Sequence, residues 1–276
     1  MLEQNPGGSL GDKKFPMPNF ITYSQLLEYI YTHHGYESSN NLFFKDQIKG
    51  MRIAEVGCGH GFMTLVLAQY ALFVSGFDVD SNALLEAENL KQKLNINNVE
   101  FRMLDEKLNS IASYDAAISM DVIEHVPNPI SYLTKINSMI KKGGKLFLGT
   151  PNGLIAKKNK CIIKTHSEFH VMEYTPGELI IFLREAMFRP VAFYSNKNIS
   201  GKGYDISISK RIIIRLLCKV GLFDTVSTVI QRAKKNSFSE SQISGNSFKD
   251  WVIEPIEADN INAHNCDAII IEAEKE

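Results

Sequence analysis

From residue 51 the chain alternates short apolar runs with longer amphipathic stretches. Met51–Val56, Phe73–Asp78, Val99–Leu104, Tyr114–Met120 and Lys145–Thr150 read as strands, the last following Lys142-Gly-Gly144. His60–Tyr70, Ser81–Leu94 and Pro129–Ile140 read as helices between them, the second capped by Asp80 or Ser81. This alternation predicts a parallel sheet with crossover helices. Right-handed crossovers gather the strand C-termini on one edge, where ligands bind. Upstream, Leu26, Leu27, Ile30 and Tyr31 give Tyr23–His34 an amphipathic helical spacing that stops at Gly35. Residues 1–19 read as an arm.

Downstream, a loop to about Phe169 precedes a helix at Thr175–Ala186 and a strand at Pro190–Tyr194. Residues 200–262 break the rhythm. Ser209–Ala233 is apolar and basic, and Lys234–Gly245 is rich in Ser and Asn and expected to be mobile. A last strand, Ala268–Ala273, closes the chain. The expected division is an N-terminal arm and helix (1–45), an α/β core (46–200), a helical, mobile insertion acting as lid or interface (201–262) and the last core strand (263–276).

Composition narrows the classes. A chain of 276 residues with 44% hydrophobic residues holds one α/β domain with additions. Lys+Arg 30 against Asp+Glu 31 argues against nucleic acid as partner. Cys58, Cys161, Cys218 and Cys266 form no C-x-x-C pair, which fits a reducing cytoplasm better than a zinc or disulfide scaffold. Met1–Pro18 has no apolar core of a signal peptide, and no run approaches the ~20 apolar residues of a membrane span. A cytoplasmic protein without stable membrane insertion is expected.

The chemistry starts at Glu55-Val-Gly57-Cys-Gly59-His-Gly61-Phe62, a glycine loop between strand and helix. Glycine lets a ligand approach the backbone. A dinucleotide loop reads G-x-G-x-x-G, and Phe62 stands where its last glycine belongs. Glu55 instead adds an acid beside the loop, which suits an ammonium better than a phosphate. Asp78, ending the second strand, is placed to accept hydrogen bonds from ribose hydroxyls or to cap the next helix; Asp80 reads as the cap. Asp105, ending the third strand, is either an acceptor for an adenine amino group or a surface turn residue.

Glu55-x-Gly57-x-Gly59-x-Gly61, Gly76-Phe-Asp78, Leu104-Asp105, Tyr114-Asp115, Val122-Ile-Glu124-His125-Val126 and Lys142-Gly-Gly144 together resemble the class I S-adenosylmethionine (SAM) methyltransferases. The likeness is greatest to the ubiquinone-biosynthesis and small-molecule O-methyltransferase group. It covers about 50–152 well, 165–195 moderately, and neither 1–45 nor 200–262. It implies a doubly wound, Rossmann-like, mostly parallel sheet of seven strands, the last antiparallel, with SAM as cofactor. The cofactor set is then Glu55, Gly57, Cys58, Gly59, Gly61, Phe62, Asp78, Val79, Asp105, Glu106 and Met120. The implied reaction is methyl transfer to a hydroxyl of a small metabolite: a sugar, nucleotide-sugar or natural product.

Asp121-Val-Ile-Glu124-His125 follows the fourth strand and so sits on the ligand edge. An attacking alcohol must lose its proton, and histidine is the natural base. His125 is the candidate, oriented by Glu124 or Asp121; it could equally pack at the strand–helix turn. His170 is expected to line the acceptor pocket or to pack its loop. Asp121, Glu124 and His125 with His166 or His170 also resemble the Glu-x-x-Glu-His metal set of small-RNA 2′-O-methyltransferases, with Asp121 one methylene short. No metal is expected on the leading reading. An RNA methyltransferase of that metal-dependent kind and a non-catalytic SAM-binding subunit are the competing functions. The Arg211–Phe223 helix reads as packing, or else as a membrane-surface, lid or homodimer element.

Overall fold

The computed structural model describes residues 19–20, 22–33, 35–105, 112–154, 172–198, 251–257, 266 and 268–276. The expected arm, the Phe169 loop, the Arg211–Phe223 helix and the Lys234–Gly245 tract lie largely or wholly outside them. Eight strands form one sheet: β1 (Arg52–Val56), β2 (Phe73–Asp78), β3 (Val99–Met103), β4 (Tyr114–Met120), β5 (Ile140–Pro151), β6 (Phe188–Asn198), β7 (Trp251–Pro255) and β8 (Ala268–Lys275). Their order is β3-β2-β1-β4-β5-β8-β6-β7. The β1–β5 block is parallel, whereas β8 runs antiparallel to both β5 and β6.

Seven strands were expected, and the sheet has eight. The added strand is β7, an antiparallel edge on β6 with Tyr194 opposite Pro255 and Asn198 opposite Trp251. It lies inside the stretch expected to be a helical insertion; the described part of that stretch is strand. A five-residue segment ending in proline carries too little alternation to announce itself, and an edge is where a sheet tolerates proline.

The helices are α1 (Tyr23–His33), α2 (Gly35–Leu42), α3 (Phe62–Leu67), α4 (Ser81–Lys93), α5 (Pro129–Met139) and α6 (Pro176–Glu185). Among the described residues no helix is long and apolar enough to cross a membrane. Strand alternation splits the core between two faces. Ala54, Ala117, Leu146 and Ile271 pack with Leu133, Ile136 and Leu183 of α5 and α6. Ile53, Ile118, Phe147 and Ile270 pack with Leu26, Ile30, Leu65 and Leu90 of α1, α3 and α4. Burial of these aliphatic side chains, at about 1.5–3 kcal/mol each, is the main force holding the layers together.

Gly35 does not end the N-terminal helical region; it opens α2. Beside the apolar Leu42, α2 buries polar side chains, with Ser39, Asn40 and Asn41 all under 6% exposed. Asn196 of β6 donates through Nδ2 to Asn40 Oδ1 (2.6 Å) and Ser39 Oγ (2.8 Å). Paired amides in a dry setting are strong and directional, so they fix where α2 lies. Nearby, Phe44 stacks on Phe147 with centroids 4.0 Å apart. These contacts bring the N-terminal helices over the ligand edge.

Candidate active site

The loop after β1 is tied down from the neighbouring strand. Gly57 N and Cys58 N both donate to Phe77 O, at 2.7 and 3.0 Å. Gly57 has φ +87, and a Cβ there would lie 2.2 Å from Val122 Cγ2. No side chain fits without displacing the β4 loop. Gly59 also has positive φ (+50), but a Cβ there would meet nothing within 4 Å. One glycine serves packing; at the other the space a Cβ would take is open.

Asp78 fastens this loop. Its Oδ2 accepts from Gly59 N (2.7 Å) and its Oδ1 from Asp80 N (3.0 Å). A carboxylate has about four lone-pair sites, so further acceptor capacity remains. Asp78 is therefore an anchor rather than a helix cap. Asp80 is the cap of α4, accepting from Asn82 N and Ala83 N.

A cavity of about 250 Å³ opens beside the loop. Glu55, Val56, Gly57, Cys58 and His60 line it from β1 and the loop, Phe62 and Met63 from α3, and Met120 and Asp121 from the end of β4. Ile30 of α1 and Asn41 of α2 close it. Asp121 has φ +56, a left-handed conformation uncommon outside glycine and found at functional turns.

Of the expected cofactor set, Glu55, Gly57, Cys58, Phe62 and Met120 come together on this cavity, while Gly59 and Asp78 stand beside it. Gly61 is buried against Phe101. Val79 is 71% exposed. Asp105 is exposed, and its carbonyl accepts from Lys135 Nζ. Glu106 lies outside the described residues, as does His170. Of the expected catalytic trio, Asp121 is on the cavity and Glu124 is fully buried. His125 is exposed on the 3₁₀ turn Ile123–His125. Among the described residues no group of three metal-ligating side chains occurs; His166 also falls outside them.

Sequence reasoning missed Ile30, Asn41, Val56, His60, Met63 and Thr64. Thr64 is one polar residue in an apolar helical run, and its buried hydroxyl donates to Glu55 Oε2. A buried threonine in α3 facing the strand acid was the available signal. Ile30 and Asn41 belong to helices outside the family-like stretch, and nothing in their spacing marks a ligand wall.

Two carboxyls are tuned by their surroundings. Burial pushes Glu55 up to about 7, against an ordinary value of 4.5; the Thr64 bond opposes this and Asp78 adds to it. Burial also pushes Glu124 up to about 7. The Glu124 backbone and the Thr150 hydroxyl, 2.9 Å from Oε2, oppose that rise, and Glu173 adds to it. Burial raises the Cys58 thiol as well, so this loop cysteine is held as a neutral thiol.

The two carboxyls give a stability prediction. Their folded pKa values exceed the unfolded ones, so the folded state holds protons that the unfolded state has lost between pH 4.5 and about 7. Stability of the ligand-free protein should therefore fall as pH rises through that window and level off above it. Linkage gives about 2 kcal/mol per group from about pH 5.5 to about pH 8. Urea midpoints across this range check it, with Glu55→Gln flattening the curve. Stability that rises with pH would contradict the burial of both acids.

Comparison with known proteins agrees with this architecture. Residues 47–179 match the family described as a methyltransferase domain. The ubiquinone biosynthesis O-methyltransferase of Coxiella burnetii is 33% identical over 107 residues, 38% of this chain and 45% of that protein. The chain thus spans about half the length of the curated relatives it matches. A SAM-dependent methyltransferase from Methanosarcina mazei superposes with a TM-score of 0.52 at 17% identity, covering 85% of this chain and 96% of the other. The cyclase SpnF superposes with a TM-score of 0.55 at 17% identity over 87% and 81% of the two chains. A cyclase on the same scaffold shows that the fold does not dictate the reaction. The match of residues 47–179 to the methyltransferase-domain family, the strand order and the glycine loop together give this chain the fold of the class I SAM-dependent methyltransferases.

Proposed function

We propose that this chain transfers a methyl group to a hydroxyl of a small metabolite, in the sugar, nucleotide-sugar or natural-product class. The observation that carries the reading is the cavity beside the glycine loop, with Glu55 and Asp121 in its wall and Asp78 at its edge. When bound, SAM supplies an activated methyl on a sulfonium. The residues present fit its parts. Glu55 and Asp121 meet the ammonium, Asp78 accepts from the ribose hydroxyls with its remaining lone pairs, and Asp105 accepts from the adenine amino group. Gly57, Cys58, Gly59 and Gly61 shape the loop, Phe62, Val79 and Met120 give apolar contact, and Glu106 flanks Asp105.

Much of the rate in such a displacement comes from alignment. The cavity and its roof, Ile30 and Asn41, fix one reactant. His125 accepts the acceptor hydroxyl proton at a ring nitrogen as the oxygen attacks. Its exposed position lets that proton pass to solvent. Glu124 acts behind it, holding the turn through Thr150 and through its carbonyl, which accepts from Met172 N at 3.1 Å. His170 completes the acceptor side. The cytoplasm is the expected setting, supported by the free thiol of Cys58.

Methyl transfer from radiolabelled SAM into an extract of the source cell, fractionated into small molecules, RNA and protein, tests the reading. Label is expected in the small-molecule fraction. Label in RNA would replace the metabolite by a nucleic-acid acceptor, and label nowhere would leave a binding subunit.

A further inference from the structure

The wall of the cavity is electrostatically one-sided. Glu55 and Asp121 line it, and among the described residues no lysine or arginine does. If SAM binds here as proposed above, its amino-acid end brings an ammonium and a carboxylate together. Two acids satisfy the first and repel the second. The carboxylate needs a donor, and four of the loop's N–H groups are already committed. Gly57 and Cys58 donate to Phe77 O, Gly61 to Cys58 O, and Gly59 to Asp78.

Two lining side chains carry suitable donors. Asn41, 4% exposed, presents a carboxamide from α2. His60 presents an imidazole from the loop. Its Nδ1 lies 2.9 Å from Glu86 Oε2 on α4. That pair is about half exposed on both sides, at 49% and 47%, and such pairs add little to stability. Its effect is to orient the ring: with Nδ1 held by Glu86, Nε2 is the nitrogen left for the cavity that His60 lines. A ring with a proton on each nitrogen donates to Glu86 and to a ligand carboxylate at once.

We infer that His60 and Asn41 hold the carboxylate of the cofactor, with Glu86 as the positioning residue for His60. The inference rests on the SAM reading and gives His60 and Asn41 roles apart from the acids and glycines assigned above. It also explains why the N-terminal helices reach the cavity. The cofactor's charged end is gripped partly from α2, outside the family-like stretch.

The test is calorimetric binding of S-adenosylhomocysteine and of its descarboxy analogue, 5′-(3-aminopropyl)thioadenosine, without turnover. The wild-type protein should prefer the carboxylate-bearing ligand by more than about tenfold, the scale of one charge-assisted hydrogen bond. His60→Ala should remove about tenfold of that preference by weakening S-adenosylhomocysteine alone, and His60→Gln should restore part of it. Glu86→Gln should give a smaller loss of the same selectivity, and Asn41→Ala a further one. His60 is exposed, so the variant's melting temperature should not move. An unchanged preference in His60→Ala overturns the inference while leaving the cofactor reading intact. If neither ligand binds the wild-type protein, the cofactor reading falls and this inference with it.

Discussion

Asp78→Ala should weaken SAM binding by about a hundredfold or more. The carboxylate has two tasks: it fixes Gly59 N and Asp80 N, and on the proposed reading it accepts from the ribose diol. Hydrogen bonds to a charged partner contribute about 1.5–3 kcal/mol each, so losing the ribose pair amounts to about 3 kcal/mol. Release of the loop adds to this. Asp78 ends its strand and is only partly buried, so the sheet itself should survive. Asp78→Asn separates the tasks, because its single carbonyl oxygen anchors one N–H and leaves the diol underserved. Calorimetry on folded protein reads the outcome, and wild-type affinity in Asp78→Ala would remove Asp78 from the site.

His125→Ala should cut turnover by about a hundredfold or more, the usual contribution of a positioned base, with cofactor affinity unchanged. The split follows from the geometry. His125 is outside the cavity lining and exposed on the turn after β4, whereas Asp121 of the same segment is on the lining. Exposure also permits chemical rescue. Added imidazole should restore part of the lost rate in the variant and none in the parent. Wild-type turnover in His125→Ala would reduce the residue to a surface position and shift attention to the acceptor side after β5.

Most of the parallel half of the sheet was legible, because β1 to β5 and their crossover helices obey simple apolar periodicities and glycines mark the loop. Asp80 as a cap and Glu55 beside the loop followed from local chemistry in the same stretch, while Phe62 was placed there by the resemblance. Elsewhere that chemistry is silent. α2 hides because it buries Ser39, Asn40 and Asn41 rather than an apolar stripe, and Asn196, the partner of Ser39 and Asn40, is far away in sequence. β7 hides because it is short and at an edge. The cavity roof hides for a related reason: Ile30 reads as core, and only the assembled fold reveals that it also faces a ligand space. Burial of Glu124 was equally unreadable, since an acid beside a histidine looks like a partner for it. In the structure Thr150 donates to that carboxylate from the neighbouring strand.

The rung at which Asn198 faces Trp251 has a consequence for how such a protein can change. Asn198 and Trp251 are paired neighbours, and residues 199–250 connect them in sequence. For a connection closed in this way, each doubling of its length costs only about 0.6 kcal/mol. A single residue inserted within β1 or β4 has no such latitude, because it turns every following side chain to the opposite face. Residues inserted between β6 and β7 should therefore cost far less stability than residues inserted within the strands around the glycine loop.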